Sequence, residues 1–387
     1  MYKFRAKSNI VLSVLSVLSL LAFIAVENGK VDVKQEWYTE KLEAAQLSEL
    51  AARQLKSFRL ENSVFIDVIN DPNQTALIGQ EYTMITTDRG YIDSKLSATN
   101  PNFAAVVVQL LKDAGVEEDD NVAVALSGSF PGLNISVFAA LETLKVNPIV
   151  ITSVGASNYG ANDPYFTWLD MEDVLYKSNV FHHRSVAASV GGGFDVGRGL
   201  SPEGRNLIEN AIKRNDVEFI SEKHLENSIG RRMEIYENHS NGKPIEAYIN
   251  VGGGIASLGN TINGKLIPPG LTEFLPMRNF PVRGTIIQMG QNEVPIIHLL
   301  NISQLTEKFG LPNSPVPLPE PGEGEIFVQT KYSMLITSIA TIFLVLVIIL
   351  VYFSERKQHQ LGSDPVPLSP YQKTNHDKDD EENIPVL

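Results

Sequence analysis

Residues 121–153, NVAVALSGSFPGLNISVFAALETLKVNPIVITS, decide how the rest of the chain is read. Asn121–Leu126 (NVAVAL) is apolar without polar alternation, which predicts a strand buried on both faces. A loop follows, then Ile135–Leu144 predicts a helix and Pro148–Thr152 (PIVIT) a second strand. Upstream, Asn100-Pro101 opens a helix through FAAVVVQLLKDA to Gly115, with a capping asparagine and a proline in the first turn. Downstream come a helix near Leu169–Tyr176, a strand at Ser185–Val190, and a helix from Ser201-Pro202 to Arg214. Next are a strand at Val217–Ile220, a helix capped by Ser221 running towards Asn238, and a strand at Ala247–Val251 (AYINV). The alternation predicts an α/β domain with a mostly parallel, doubly wound sheet. Thr261–Leu266 (TINGKL) reads as a hairpin turning on Asn263-Gly264. With strands near Thr285–Met289 and Ile296–Leu300 it predicts a small β-rich appendage.

Two uncharged runs flank this domain. Asn9–Val26 (NIVLSVLSVLSLLAFIAV) has 18 residues, just enough to cross a hydrocarbon core of roughly 30 Å. A cleaved signal peptide shares this layout, but the small-x-small cleavage pattern is poor, which favours a signal anchor. Tyr332–Phe353 has 22 residues without a charge, bracketed by Tyr332, Tyr352 and Phe353 as at a membrane interface. Lys3, Arg5 and Lys7 before the first run, and Arg356 and Lys357 after the second, place both termini in the cytoplasm. Residues 27–331 are then extracytoplasmic. Residues 27–60 read as a stalk helix, with Leu47, Leu50, Ala51, Leu55 and Phe58 at helical spacing. Residues 61–310 are the domain. The proline-rich LPNSPVPLPEPGEGE that opens 311–331 reads as a second, extended stalk. Residues 354–387 read as a disordered cytoplasmic tail.

The 387 residues carry a net charge of −13, and all of it falls in residues 27–331, because 1–26 contribute +3 and 332–387 contribute −3. That balance excludes bulk electrostatic binding to nucleic acid. A polyanionic ligand would have to be held locally, through Arg198 and backbone amides, or be bridged by divalent cations. There is no cysteine, so thiol catalysis, disulfides and thiolate metal sites are excluded. No P-loop, dinucleotide fingerprint, His-Glu-x-x-His or calcium-loop pattern occurs, so no metal and no cofactor is expected.

Four strand-to-helix connections are rich in Gly, Ser and Asn: residues 127–134, 153–163, 191–201 and 252–259. Val-Gly-Gly-Gly occurs twice, at 190–193 and 251–254. In an open parallel sheet such loops gather at the strands' C-terminal edge, where ligands bind. Gly191, Gly192, Gly193, Gly252, Gly253 and Gly254 let backbone N–H groups approach an oxygen ligand, although glycine turns also make ordinary short connections. Asn158, Tyr159, Asn162 and Asp163 offer neutral donors and an acceptor. Arg198, beside Asp195, is the best candidate to hold a carboxylate through its planar fork. Ser127 and Ser129 lie where a hydroxyl can point outward as a nucleophile, with His182, His183, Asp163 or Asp195 as candidate partners; capping or ligand positioning is the plainer role. No Gly-x-Ser-x-Gly is present.

The two-span layout, SGSFPGLN (127–134), TSVGASNYGANDP (152–164), GGGFDVGRGLSPEG (191–204) and INVGGGIASLGN (249–260) together resemble the bacterial poly-gamma-glutamate system protein family. The resemblance covers nearly the whole chain. It implies a membrane component that accompanies the proteins of poly-γ-glutamate capsule synthesis and export, and brings no agreed mechanism or active-site residues. Three functions follow as expectations: an accessory component whose outer domain binds the polymer or partner proteins, an enzyme acting on γ-glutamyl amide bonds, or a scaffold without an active pocket. Polymer synthesis itself is disfavoured, because amide ligation needs ATP and no nucleotide loop is present.

Overall fold

The computed structural model describes residues 9–276 and 279–361. The chain divides into two units, one of residues 32–329 and one of the terminal segments, up to Val31 and from Thr330.

In the larger unit seven strands form one sheet: β1 (Asn121–Ser127), β2 (Asn147–Ser153), β3 (Ser185–Ser189), β4 (Glu218–Ile220), β5 (Ile245–Val251), β6 (Gly270–Thr272) and β7 (Ile296–Leu299). Their spatial order is β6-β7-β5-β1-β2-β3-β4. Every pairing is parallel except that of β6 with β7. The mixed α/β architecture with a mostly parallel sheet is the one the alternation of apolar runs predicts. From β1 the chain steps outward through β2, β3 and β4, then returns to the other flank of β1 with β5 and β7. The direction of winding reverses between β1 and β5, and at such a point the loops leaving the strands diverge and open a crevice.

The apolar run of β1 has a simple origin. Val122, Val124 and Leu126 join one buried cluster with Ala51 and Leu55 of the Tyr38–Glu61 helix and Phe138 of the Pro131–Leu144 helix. Ala123 and Ala125 join another with Tyr236 of the Leu225–His239 helix and Ile286 of the Thr285–Gln291 helix. Alternate side chains leave opposite faces of a strand, so a strand covered on both sides must be apolar throughout. Each fully buried Val or Leu here contributes about 1.5–3 kcal/mol.

Several expectations are corrected. Among the described residues there is no separate β-rich appendage: β7 pairs with β5 in the main sheet, and Thr285–Gln291 is a helix. Its adjacent isoleucines suggest a strand locally, but Ile286 and Ile287 are buried on the core as a helical face, and burial overrides propensity. Asn263–Leu266 is a helical turn, not a hairpin, because buried Asn263 Nδ2 donates to the Leu258 and Val282 carbonyls at 2.8 and 2.7 Å. The helix expected from Ile135 starts at Pro131, a residue suited to the first turn, so half of the SGSFPGLN loop is helical. The residue capping the Leu225–His239 helix is His224, not Ser221.

The Tyr38–Glu61 helix is a layer of the domain. It buries Lys41, Ala44, Ala45, Ser48, Ala51, Leu55 and Arg59, while Leu50 is exposed. Its small buried residues let it lie close against the Phe103–Asp113 and Pro131–Leu144 helices. The proline-rich segment is fastened to the domain as well: Asn102 Nδ2 donates to the Glu320 carbonyl at 3.0 Å, and Asn102 Oδ1 accepts from Gly322 N–H at 3.1 Å.

In the smaller unit, Asn9–Asn28 and Met334–Ser354 are helical stretches long and apolar enough to cross a membrane. The second helix continues to Leu361, beyond the expected end at Phe353. Leu12, Val17, Leu20 and Phe23, and likewise Leu335, Ile339, Leu346 and Leu350, are exposed. Lys3, Arg5 and Lys7, the side chains of Arg356 and Lys357, and residues 362–387 lie outside the described residues.

Candidate functional site

A cavity of about 540 Å³ opens at the C-terminal edge of the sheet, where β1 and β5 part. Its wall takes Ser127 from the end of β1 and Ser129 beyond it, Ser153 from the end of β2 with Gly155 and Ser157 beyond it, Gly192 and Gly193 from beyond β3, and Gly253 and Gly254 from beyond β5. One side is closed by Thr87–Tyr91 and by Lys95 of the short Ile92–Ala98 helix; Thr261, Lys265 and Asn301 complete the rim.

The strand ends present a row of hydroxyls, since Ser127 pairs in register with Ser153, and Ser153 with Ser189. Ser127 is buried, and among the described residues its Oγ has no hydrogen-bond partner. Gly252 holds φ +80°, and a Cβ there would come within 2.5 Å of Ser127 Oγ, so this position requires glycine for both conformation and space. Ser129 Oγ accepts from Ser157 N–H at 3.1 Å and braces two loops.

The other two serines of the row feed a buried ion pair beneath the cavity floor. Arg232 and Asp195 have side chains only 1% exposed and lie 3.2 Å apart. Arg232 Nη2 also donates to Ser189 Oγ at 2.7 Å and Ser153 Oγ at 3.1 Å, and Asp195 Oδ2 accepts from Ser228 Oγ at 2.6 Å. Asp195 is therefore a structural anchor that pulls the glycine-rich loop inward. The same turn sends Arg198 outward, where its guanidinium lies 4.8 Å from the Phe194 ring on a separate surface. Arg198 is not part of the cavity wall.

The Asn/Asp loop after β2 also takes an architectural role. Asn162 Oδ1 accepts from Gln80 N–H at 3.0 Å, and its Nδ2 donates to the Gln80 carbonyl at 2.7 Å and Thr86 Oγ1 at 3.0 Å. Asn158 Oδ1 accepts from Gly90 N–H, and its Nδ2 donates to the Glu81 carbonyl. Tyr159 N–H donates to the Gln80 carbonyl, and Asp163 turns back to accept from Tyr165 N–H. These residues stand behind the cavity, where Asn158, Tyr159 and Asn162 pin segment 80–90, which forms one of its walls. His182 and His183 lie at the opposite edge of the sheet, before β3, against Glu142. They cannot serve Ser127 or Ser129.

Six of the residues singled out from the sequence thus share the cavity: Ser127, Ser129, Gly192, Gly193, Gly253 and Gly254. Gly191 and Gly252 shape its floor beside Ser153 and Ser127. The residue that sequence reading misses is Lys95, only 3% exposed, with Nζ 2.8 Å from Ser157 Oγ, hydrogen-bonded to the Ser129 carbonyl and 3.7 Å from the Phe130 ring centre. Burial without a carboxylate partner pushes its amine down to about 7. A seven-residue helix is too short for periodicity to betray a buried lysine. Two cationic side chains, Arg89 and Lys265, and the Lys95 amine line the cavity against one acid, Asp88. Together with the hydroxyls and glycine backbones they suit an anionic oxygen ligand. Among the described residues, no group of three His, Asp or Glu side chains could hold a metal ion. No family model, curated protein or solved structure matches the chain.

Proposed function

We propose that this protein is a membrane-anchored accessory component of a poly-γ-glutamate synthesis and export system, and that its 32–329 domain binds the γ-linked glutamate chain by its carboxylates. The observation that carries the reading is the local reversal of charge. Residues 27–331 hold a net charge of −13, yet the cavity wall sets Arg89 and Lys265, beside the Lys95 amine, against Asp88 alone. An acidic surface repels a long polyanion at distances within the Debye length of roughly 8 Å, so the cavity takes a chain end or a short stretch. Its volume is that of a small-ligand pocket rather than a polymer groove. The loop resemblance to the poly-gamma-glutamate system proteins supports the choice of ligand. Helices packed against both faces support a doubly wound sheet with the ligand at its switch point. The two exposed apolar helices, with basic residues outside each, support a two-span chain with cytoplasmic termini and an extracytoplasmic domain. Other synthesis and export proteins are its expected partners in the membrane.

The test is calorimetric titration of short γ-linked glutamate oligomers into the full chain in lipid nanodiscs. Binding is expected for the wild type, weakened at least tenfold by Arg89→Ala with Lys265→Ala and unchanged by Arg198→Ala. Absence of wild-type binding at millimolar oligomer, or equal loss in Arg198→Ala, overturns the reading.

A further inference from the structure

We propose that Ser157 and Lys95 form a nucleophile–base pair, Lys95 Nζ taking the proton of Ser157 Oγ as that oxygen attacks the carbonyl carbon of a γ-glutamyl amide. The substrate class rests on the cavity reading above; the reactivity of the pair does not.

Geometry comes first. Ser157 Oγ and Lys95 Nζ are 2.8 Å apart, within the reach a base needs, and both residues line the cavity. Neither is free to drift. Ser157 is held through its backbone, by Ser129 Oγ on its N–H and by the Thr86–Asp88 strand, whose Asp88 pairs with it. Lys95 is held by the Ser129 carbonyl and the Phe130 ring. A neutral amine satisfies these contacts with its two N–H bonds, which leaves the lone pair for the Ser157 hydroxyl proton. A brace alone would not need an ionisable group. Burying an amine without a carboxylate is costly, and such arrangements cluster at reactive sites. The ordinary serine of a catalytic pair is activated by such an adjacent base.

The step balances without a co-reactant other than water. As the Oγ–C bond forms, the serine proton passes to Lys95 Nζ and the carbonyl oxygen takes the negative charge. Collapse breaks the C–N bond, and the leaving amine takes the proton from Lys95. Water then attacks the Ser157 ester, giving its proton to Lys95, and Ser157 leaves as the alcohol by recovering that proton. An amine attacking in place of water gives chain transfer. Ser127, with a buried hydroxyl that has no partner among the described residues, lines the same cavity and has a hydrogen to donate to a developing oxyanion.

Asp88, Arg89 and Lys265 are the other charged side chains on the cavity wall, and no carboxylate pairs with Lys95 among the described residues. Reactivity should therefore follow the deprotonation of Lys95. The experiment treats the full chain in nanodiscs with a fluorophosphonate probe, which modifies activated serines, and maps the site by peptide mass spectrometry. The label is expected on Ser157, at a rate that rises about tenfold between pH 6 and pH 8, as a base titrating near 7 dictates. Ser157→Ala should not label at that position, and Lys95→Arg, which keeps a charge and a donor, should label at least tenfold more slowly. Absence of wild-type labelling at pH 8, labelling of a different serine, or a rate flat in pH overturns the proposal. The wild-type site and pH profile decide the matter even if a variant fails to fold. No polymer is present, so loss of oligomer binding and loss of labelling are separate results.

Discussion

Replacing Lys95 by methionine tests the electrostatics of the cavity directly. In the folded protein the Lys95 amine titrates at about 7, against 10.5 for an ordinary lysine, because burial removes water from the charge. Below pH 7 both folded and unfolded chains hold the proton, and the folded state bears the full cost of a buried ammonium. Between about 7 and 10.5 the unfolded chain binds more protons, so stability rises with pH by up to about 1.4 kcal/mol per unit. Allowing for half-protonation at pH 7, the rise from pH 7 to pH 9 is about 2 kcal/mol. Methionine is close in size and carries no proton, so this rise should vanish in Lys95→Met. The difference in unfolding free energy between wild type and variant should therefore grow by about 2 kcal/mol in favour of wild type over those two units. Lost hydrogen bonds to the Ser129 carbonyl and Ser157 offset the two curves but do not slope them. Urea unfolding of the full chain in detergent micelles, followed by Trp37 and Trp168 fluorescence at pH 7, 8 and 9, measures it, and every other titrating group cancels in the comparison. A difference independent of pH across this window, as for a lysine paired with a carboxylate, refutes the reasoning.

Arg232→Ala strands the buried Asp195 carboxylate and should cost about 3–5 kcal/mol, lowering the urea midpoint sharply; a loss below about 1 kcal/mol would mean the pair is solvated. Gly252→Ala meets both a positive φ and Ser127 Oγ and should cost about 1–3 kcal/mol, while Gly253→Ala, where nothing lies within 4 Å of the added carbon, should stay within about 0.5 kcal/mol. Equal losses at the two glycines in thermal unfolding would contradict the assigned packing. Asn162→Ala removes three hydrogen bonds to the segment that walls the cavity, about 1 kcal/mol each. Trypsin should then cut after Arg89 at least tenfold faster than in wild type, and an unchanged cutting rate would sever the link between Asn162 and that wall.

Much of the fold is legible along the chain because its signals are local. Val122–Leu126 and Pro148–Ile151 are apolar throughout since helices cover both faces of the sheet, and Ser201-Pro202 stops one element and starts the next by its own capping chemistry, Ser201 Oγ accepting from Gly204 N–H at 3.1 Å. The failures occur where a distant partner decides. Thr285–Gln291 carries two isoleucines that suit a strand, and only packing on Tyr236 and its neighbours makes them a helical face. The candidate site divides the same way. Its serines and glycines are visible because strand ends need small residues wherever loops gather. Arg198 and the Asn158–Asp163 group are misread, since sequence does not reveal that Asp195 turns inward to Arg232 and leaves Arg198 outside, or that Asn162 spends its hydrogen bonds on Gln80 and Thr86.

The sequence by itself determined the two apolar helices, the parallel α/β core and the edge of the sheet at which small polar loops collect, because these depend on hydrophobic period, chain punctuation and charge count. It also located the net charge of −13 in residues 27–331, and with it the demand that any polyanion be held locally. The tertiary structure alone decided which basic groups face the cavity. Lys95 lies 62 residues before Ser157 in the chain, and the packing of its helix against the Ser129 carbonyl and the Phe130 ring sets its amine 2.8 Å from that hydroxyl, in a setting too dry for the charge. A lysine's proton affinity is fixed by what surrounds it in space, and sequence order does not encode those surroundings.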